Sequence, residues 1–400
     1  MISYQEALQV ISQHQLTLNT TRVPIEQANG HVLAQDLIAD RDFPPFDRVT
    51  MDGIAINFAD YEKGQRSFPV ADVIGAGMPQ KNLDIPGQCV QIMTGAIMPT
   101  GLDTVIRYED IEIEDDVATI KEEGIRHRQN IHFKGQDKKA GEAVVAKGTR
   151  LSPVELIVAA SIGQSEIPVL ELPKAAIITT GDELVNIHES PLEHQIRRSS
   201  NYGVQALLKE WNVDATQFHL KDDKELMIRE LTSILSTHQL IILTGGVSRG
   251  KFDYLPEVLE ELGVEKHFHK VKQRPGKPFW FGTRNKQNIV FALPGNPVSS
   301  FACANVYLRH WLQLSQGMEA TNSYAELGQD LSFPPELTWF VECQLEHLEN
   351  GKVRATAFRG NGSGDFANLT LADGFLILPE KQETFKAGEV YPYIRYRKEV

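Results

Sequence analysis

The residues best suited to chemistry lie in a series of polar loops between residues 180 and 297. Thr180-Gly181-Asp182-Glu183 and Asp222-Asp223 supply carboxylates. Gly245-Gly246-Val247-Ser248-Arg249-Gly250-Lys251 joins glycines to a hydroxyl and two cations, and Asp253 follows. Arg274-Pro275-Gly276-Lys277-Pro278 adds two more cations, and Leu293-Pro294-Gly295-Asn296-Pro297 completes the set. Glycines let a backbone turn tightly and approach a phosphate closely. Carboxylates beside a phosphate imply a bridging cation, and Mg²⁺ binds through one or two carboxylates plus substrate oxygens. The chemistry this permits is positioning and charge stabilisation at a phosphorylated ligand. No Ser-His-Asp or Cys-His arrangement is legible for covalent catalysis. No G-x-x-x-x-G-K-[ST] stretch points to P-loop hydrolysis.

The elements that must position these loops alternate between strand and helix. Leu240-Ile241-Ile242-Leu243 reads as a buried parallel strand, followed by the glycine turn and a helix over Leu255–Leu262. Strands are also expected at Ala175–Thr179, near Val213–His219 and at Ile289–Leu293. Helices are expected over Gly203–Trp211 and Lys224–Leu235 and from Val298. This is a doubly wound α/β pattern, in which ligands bind at the carboxyl ends of the strands. Each polar loop falls at such an end. His267 and His269 share one face of a further strand, an arrangement more often structural than zinc-binding.

The flanking regions read differently. Ser3-Tyr4-Gln5-Glu6 is a capping box opening an amphipathic helix, and a second helix is expected near Pro24. A stiff loop runs from Arg41 to Gly53 with two prolines and three aspartates. Short strands such as Ser67–Ile74 and Thr104–Tyr108 mark a β-rich insertion over about 60–148. Within it Thr94, Asp103 and Asp137 are ligand or turn-stabilising candidates. Ser152-Pro153-Val154-Glu155 is a second capping box. After Thr321 short strands return, among them Trp339–Gln344, Val353–Phe358, Phe375–Leu378 and Val390–Ile394, as in a small β-barrel. The expected division is 1–170, 171–320 and 321–400.

Composition narrows the class. A net charge of −13 argues against a nucleic-acid partner. No apolar run approaches the length of a membrane helix. The three cysteines are far apart without a C-x-x-C, which points to a reducing, cytoplasmic setting.

Seven stretches, in order, resemble the molybdopterin molybdenumtransferases, which are similar to the gephyrin E-domain. They are Thr50-Met51-Asp52-Gly53, Met93-Thr94-Gly95-Ala96, Thr180-Gly181-Asp182-Glu183-Leu184, Gly245-Gly246-Val247-Ser248, Asp253, Pro275-Gly276-Lys277-Pro278 and Leu293-Pro294-Gly295-Asn296-Pro297. The resemblance covers nearly the whole chain. It implies an elongated multi-domain chain with a central α/β molybdopterin-binding domain. It implies the conversion of adenylylated molybdopterin and molybdate to molybdenum cofactor, with release of AMP and assistance from Mg²⁺. It implies a homodimer whose site lies between the α/β domain of one subunit and the N-terminal region of the other. By position, Asp52, Thr94, Glu183, Asp253 and Lys277 take catalytic roles, and Glu183, Asp222 and Asp253 take the metal. Substrate binding falls to Gly181, Asp182, Ser200, Asn201, Gly245, Gly246, Ser248, Arg249, Lys251, Arg274, Pro294, Gly295, Asn296 and Pro297. Ser199 stands where the family has aspartate, and Lys251 where many members carry an acid. A non-catalytic cofactor carrier is the alternative these departures leave open.

Overall fold

The computed structural model describes residues 1–247, 254–358 and 366–397, with backbone alone at 367 and 368. The chain forms two compact units, one of residues 1–21, 30–32 and 169–400, the other of 22–29 and 33–168.

The first unit is built on a six-stranded sheet. In chain order its elements are β1 (Ala175–Thr180), α1 (Ser200–Glu210), β2 (Ala215–Leu220), α2 (Lys224–Thr237), β3 (Leu240–Thr244), α3 (Leu255–Glu261), β4 (Glu265–His269), β5 (Trp280–Arg284), β6 (Asn288–Leu293) and α4 (Pro297–Cys303). The spatial order is β2-β1-β3-β6-β5-β4. The first four are parallel, and β5 and β4 add an antiparallel edge. The strand expected at His267 and His269 is present, and Trp280–Arg284 is a strand not legible in the sequence. Aromatic Phe279-Trp280-Phe281 has no clean alternation, because both faces of this strand are buried.

The same rule explains the continuous apolar runs of β1, β3 and β6. Successive side chains of a strand point to opposite faces. Ala175, Ile177, Leu240, Ile242, Ile289 and Phe291 enter one core. Ala176, Ile178, Ile241, Leu243, Val290 and Ala292 enter the other. Each fully buried side chain of this size is worth roughly 1.5–3 kcal/mol. Helix α1 covers the first face with Val204, Leu207 and Leu208, and α2 the second with Met227, Leu231, Ile234 and Leu235.

The N-terminal helix Tyr4–Ser12 belongs to this unit, although the sequence reading grouped it with residues 1–170. Its capping box is present, and Tyr4, Ala7 and Ile11 enter the first core. The Trp311 indole donates to His14 O at 2.8 Å. Apolar burial, rather than chain proximity, decides where this helix packs. The helix expected near Pro24 is absent. Pro24 is extended, and only a single 3₁₀ turn, Ile25–Gln27, follows. One turn before Asn29-Gly30 is too short to propagate a helix.

In the C-terminal part, Thr338–His347, Val353–Ala357, Ser323–Leu327, Val390–Arg395 and Gly374–Leu378 pair in turn, and the last pairs back to the first. This closes a five-stranded barrel around Leu327, Val341, Leu376, Leu378 and Phe385. Gln273–Arg274 adds to its Thr338 strand.

The second unit holds a six-stranded sheet in the order Thr104–Arg107, Gly53–Ile56, Cys89–Ile92, Ser67–Ile74, Val117–Ile120, Ile111–Glu114. The stiff loop therefore ends at Asp52, and Gly53 starts a strand. A Cβ at Gly53 would run into the Ile106 carbonyl, so glycine is required by the close strand approach. The second capping box, Ser152 with Glu155, opens the helix Pro153–Ser161.

Candidate functional site

Register brings the polar loops together. Thr179 of β1 is level with Thr244 of β3, and Thr244 with Leu293 of β6. The next residues are Thr180-Gly181, Gly245-Gly246 and Pro294-Gly295, which leave the sheet at one edge. The topological switch lies between β1 and β3, where the chain order reverses. That is where doubly wound sheets leave a crevice.

A cavity of about 430 Å³ occupies it. Gly181, Glu183, Ser200, Asp222, Gly245, Gly246, Pro294, Gly295, Asn296 and Pro297, all expected from the sequence, line it. Their local structure explains the arrangement. Gly245 and Gly246 have φ of +99° and +68°, open to glycine at little cost. The Gly245 N–H donates to Leu293 O at 3.1 Å, tying two of the turns together. The Ser200 hydroxyl donates to Gly295 O at 3.3 Å, which joins the start of α1 to the β6 loop. Asn296 caps α4 by accepting the Ser299 N–H at 3.1 Å. Two helix N-termini thus border the cavity, and each favours negative charge.

The carboxylates have distinct settings. The Glu183 side chain lies over Gly181, where a Cβ would meet it. Asp222 lines the cavity, and its N–H donates to Asp182 Oδ1 at 3.4 Å. Asp182 itself is not in the lining. Asp223 caps α2 through the Leu226 N–H at 2.9 Å. Arg197 and Arg198 line the same cavity and were not among the expected site residues. Their signal was an Arg-Arg pair two residues before a helix start, a position where cations can serve an anion. Neighbouring His219 has its pKa lowered by burial and by Arg198, so it is held neutral. Its Nδ1 lies 3.0 Å from the Thr179 hydroxyl.

Other expected residues lie elsewhere. Asn201 is buried and its amide donates to Gln217 Oε1 at 2.6 Å, outside the lining. The Arg274 guanidinium sits 5.9 Å from the Phe333 ring, drawn toward the barrel by pairing of its own strand. Lys277 is exposed outside the cavity lining, although its neighbour Pro278 belongs to it. Ser248, Arg249, Lys251 and Asp253 fall outside the described residues. His267 contacts the Thr283 hydroxyl and stacks on His14, and His269 contacts Val247 O.

In the second unit Asp52 and Thr94 do meet. Gly53 pairs with Ile92, so Asp52 and Thr94 leave adjacent strands at the same end. Asp52 Oδ1 accepts the Thr94 N–H at 2.6 Å. Hydrogen bonds from the Thr94 backbone and side chain hold the Asp52 pKa below its ordinary value. Asp103 instead supports a turn, accepting the Phe58 N–H at 2.8 Å, and Asp137 pairs with His132 at 2.8 Å.

No cluster of three acidic, histidine or cysteine ligands exists among the described residues. Glu183 and Asp222 both line the cavity, and Mg²⁺ needs only one or two carboxylates when a phosphate supplies further oxygens.

Three family models match in series: the MoeA N-terminal region (domain I and II) over residues 2–163, a probable molybdopterin binding domain over 176–313, and the MoeA C-terminal region (domain IV) over 324–396. The molybdopterin molybdenumtransferase of Synechocystis sp. is 38% identical, across 98% of this chain and 99% of its own. That of Staphylococcus aureus is 32% identical, across 98% of this chain and 95% of its own. The crystal structure of the molybdopterin biosynthesis moeA protein from Pyrococcus horikoshii is similar with a TM-score of 0.84 at 28% identity, over 99% of this chain and 100% of that one.

Proposed function

Since the chain belongs to the molybdopterin molybdenumtransferases, transferases that insert molybdenum into molybdopterin in cofactor biosynthesis, we propose that it takes the adenylylated pterin and releases AMP as molybdate enters. The observation that carries this reading is the cavity at the switch point. Glycine turns, two helix N-termini, two arginines and two carboxylates converge there. That set matches a phosphorylated ligand with a divalent cation better than a neutral one.

Each group then has a task. The N–H groups at the start of α1 and the Gly246 N–H donate to phosphate oxygens. Arg197 and Arg198 balance the remaining negative charge, and arginine's planar fork suits an oxyanion. Glu183 and Asp222 would hold Mg²⁺, with Asp253 as a third carboxylate. Mg²⁺ supplies positive charge to the phosphate oxygens. Lys277 supplies a further cation, and Asp52 with Thr94 acts on substrate across a homodimer. The enzyme works in the cytoplasm, without nucleic-acid or membrane partners. No helix among the described residues is long and apolar enough to cross a membrane.

The test is direct. Purified protein with adenylylated molybdopterin, molybdate and Mg²⁺ should release AMP in step with cofactor formation. Cofactor formation without AMP would end the adenylylated reading while leaving the transferase assignment intact.

A further inference from the structure

We propose that the Thr180 hydroxyl binds substrate, donating a hydrogen bond to a tetrahedral oxyanion in the cavity, either the nucleotide phosphate or molybdate. Thr180 is the last residue of β1 and is 3% exposed. Its Oγ1 nevertheless has no hydrogen-bond partner among the described residues. Buried side-chain polar groups are paired in the large majority of cases, and an unpaired one lowers stability. Thr179 beside it obeys the rule, with the Phe218 carbonyl at 3.3 Å and His219 Nδ1 at 3.0 Å. The exception therefore sits at the one of the two threonines that ends the strand, where the Gly181 turn begins.

Two further features set the hydroxyl beside the ligand space. Thr180 lines the cavity. Gly245 and Gly246 wrap so closely around it that a Cβ on either would stand 3.2 or 2.8 Å from Oγ1. Only glycine at these two positions lets the turn pack against a group that has a proton to give. A hydroxyl can donate one hydrogen bond, and a tetrahedral oxyanion presents only acceptors. The start of α1 and the arginines at 197 and 198 make the cavity favourable to negative charge. The inference rests on the oxyanion reading of this cavity, and it gives a role to Thr180, which opens the Thr180-Gly181-Asp182-Glu183 motif but was not among the expected site residues.

The experiment compares full-length Thr180→Val, which keeps the shape and removes the hydroxyl, with Thr180→Ser, which keeps the hydroxyl. For the valine variant, kcat/KM for molybdenum insertion should fall roughly ten- to hundredfold, the range for a lost hydrogen bond to a charged group. The melting temperature of the ligand-free protein should stay level or rise, because an unpaired buried group has been removed. Serine should recover most of the activity. Calorimetric titration with AMP and, separately, with molybdate identifies the oxyanion by which affinity weakens. Unchanged kcat/KM in the valine variant overturns the proposal. So does an activity loss matched by a lowered melting temperature, which would make the hydroxyl a structural group. Wild-type protein that binds no AMP would sink the nucleotide reading alone, since kcat/KM and the molybdate titration still decide the role of Thr180.

Discussion

Glu183 and Asp222 both line the cavity. Asp223, one residue on, caps α2 and is exposed. The two neighbouring aspartates are thus separated by position. Glu183→Gln keeps the shape and removes the charge. It should lower kcat/KM on the order of a hundredfold, typical of losing a preorganised charge at the reacting centre. Raising Mg²⁺ should recover part of that loss, as read by activity against Mg²⁺ concentration. Asp223→Asn, still a good N-cap, should change neither quantity appreciably. A second residue-scale outcome concerns Gly246. Alanine there would carry a positive φ of +68° and a methyl 2.8 Å from the Thr180 hydroxyl. The expected result is a stability loss of about 1 kcal/mol from the backbone alone, with weaker AMP binding. Urea unfolding and calorimetry measure the two parts.

At the scale of elements, the Gln273–Lys277 stretch is braced by the buried side chain of Gln273. Gln273 is fully buried; its amide donates to Gly276 O at 3.1 Å and lies 3.4 Å from Cys303 Sγ. The Tyr307 hydroxyl donates to Gln273 Oε1. Tyr307 lies in Ala304–Leu308, a π-helical turn that interrupts the helix begun by α4. Such turns realign side chains and recur at functional sites. Burial pushes the Tyr307 phenol well above its ordinary pKa, so it remains a donor throughout the working range. Tyr307→Phe leaves a buried amide oxygen unpaired, at a cost of roughly 1–3 kcal/mol. If this network also sets the position of Lys277, the loss in kcat/KM should disappear in a Lys277→Ala background. Additive losses in that double-mutant cycle would show that the network serves stability only.

For the whole molecule, five histidines, at positions 14, 31, 219, 267 and 310, have pKa values lowered chiefly by burial. Glu265 opposes the shift at His14 and His267, which stack with ring centroids 3.8 Å apart. Asp214 opposes it at His31, and Asp182 and Asp222 at His219. The sign follows from proton binding. A histidine depressed in the folded state takes its proton more readily when unfolded, so stability falls as pH drops below the ordinary value near 6.5. Carboxylates held low, such as Asp52, Glu155 and Asp330, lose their contribution only at more acid pH. Melting temperature should therefore decline between about pH 6.5 and 5, ahead of the carboxylate phase. His14→Phe should soften that decline, and an identical profile in the variant would remove this pair from the account. The proposed dimer has its own test: mixed Asp52→Ala and Glu183→Ala proteins, each inactive, should regain activity after subunit exchange if the two residues serve one site from different subunits. Continued inactivity of an exchanged mixture would place both in the same subunit's site.

Sequence alone determined the α/β alternation, the β-rich flanks and most loops of the cavity. These follow from local rules: apolar period, glycine where the backbone must turn, serine and glutamate at helix starts. It also supplied the family, because seven ordered stretches are carried along the chain. It could not show that Arg197 and Arg198 line the cavity or that Arg274 turns toward Phe333. Nor could it show that Tyr4 packs with the α/β core or that Thr180 is left without a partner. Those outcomes depend on which residues from distant segments arrive at one place. Strand register and burial settle that, and neither is a property of any single stretch of chain.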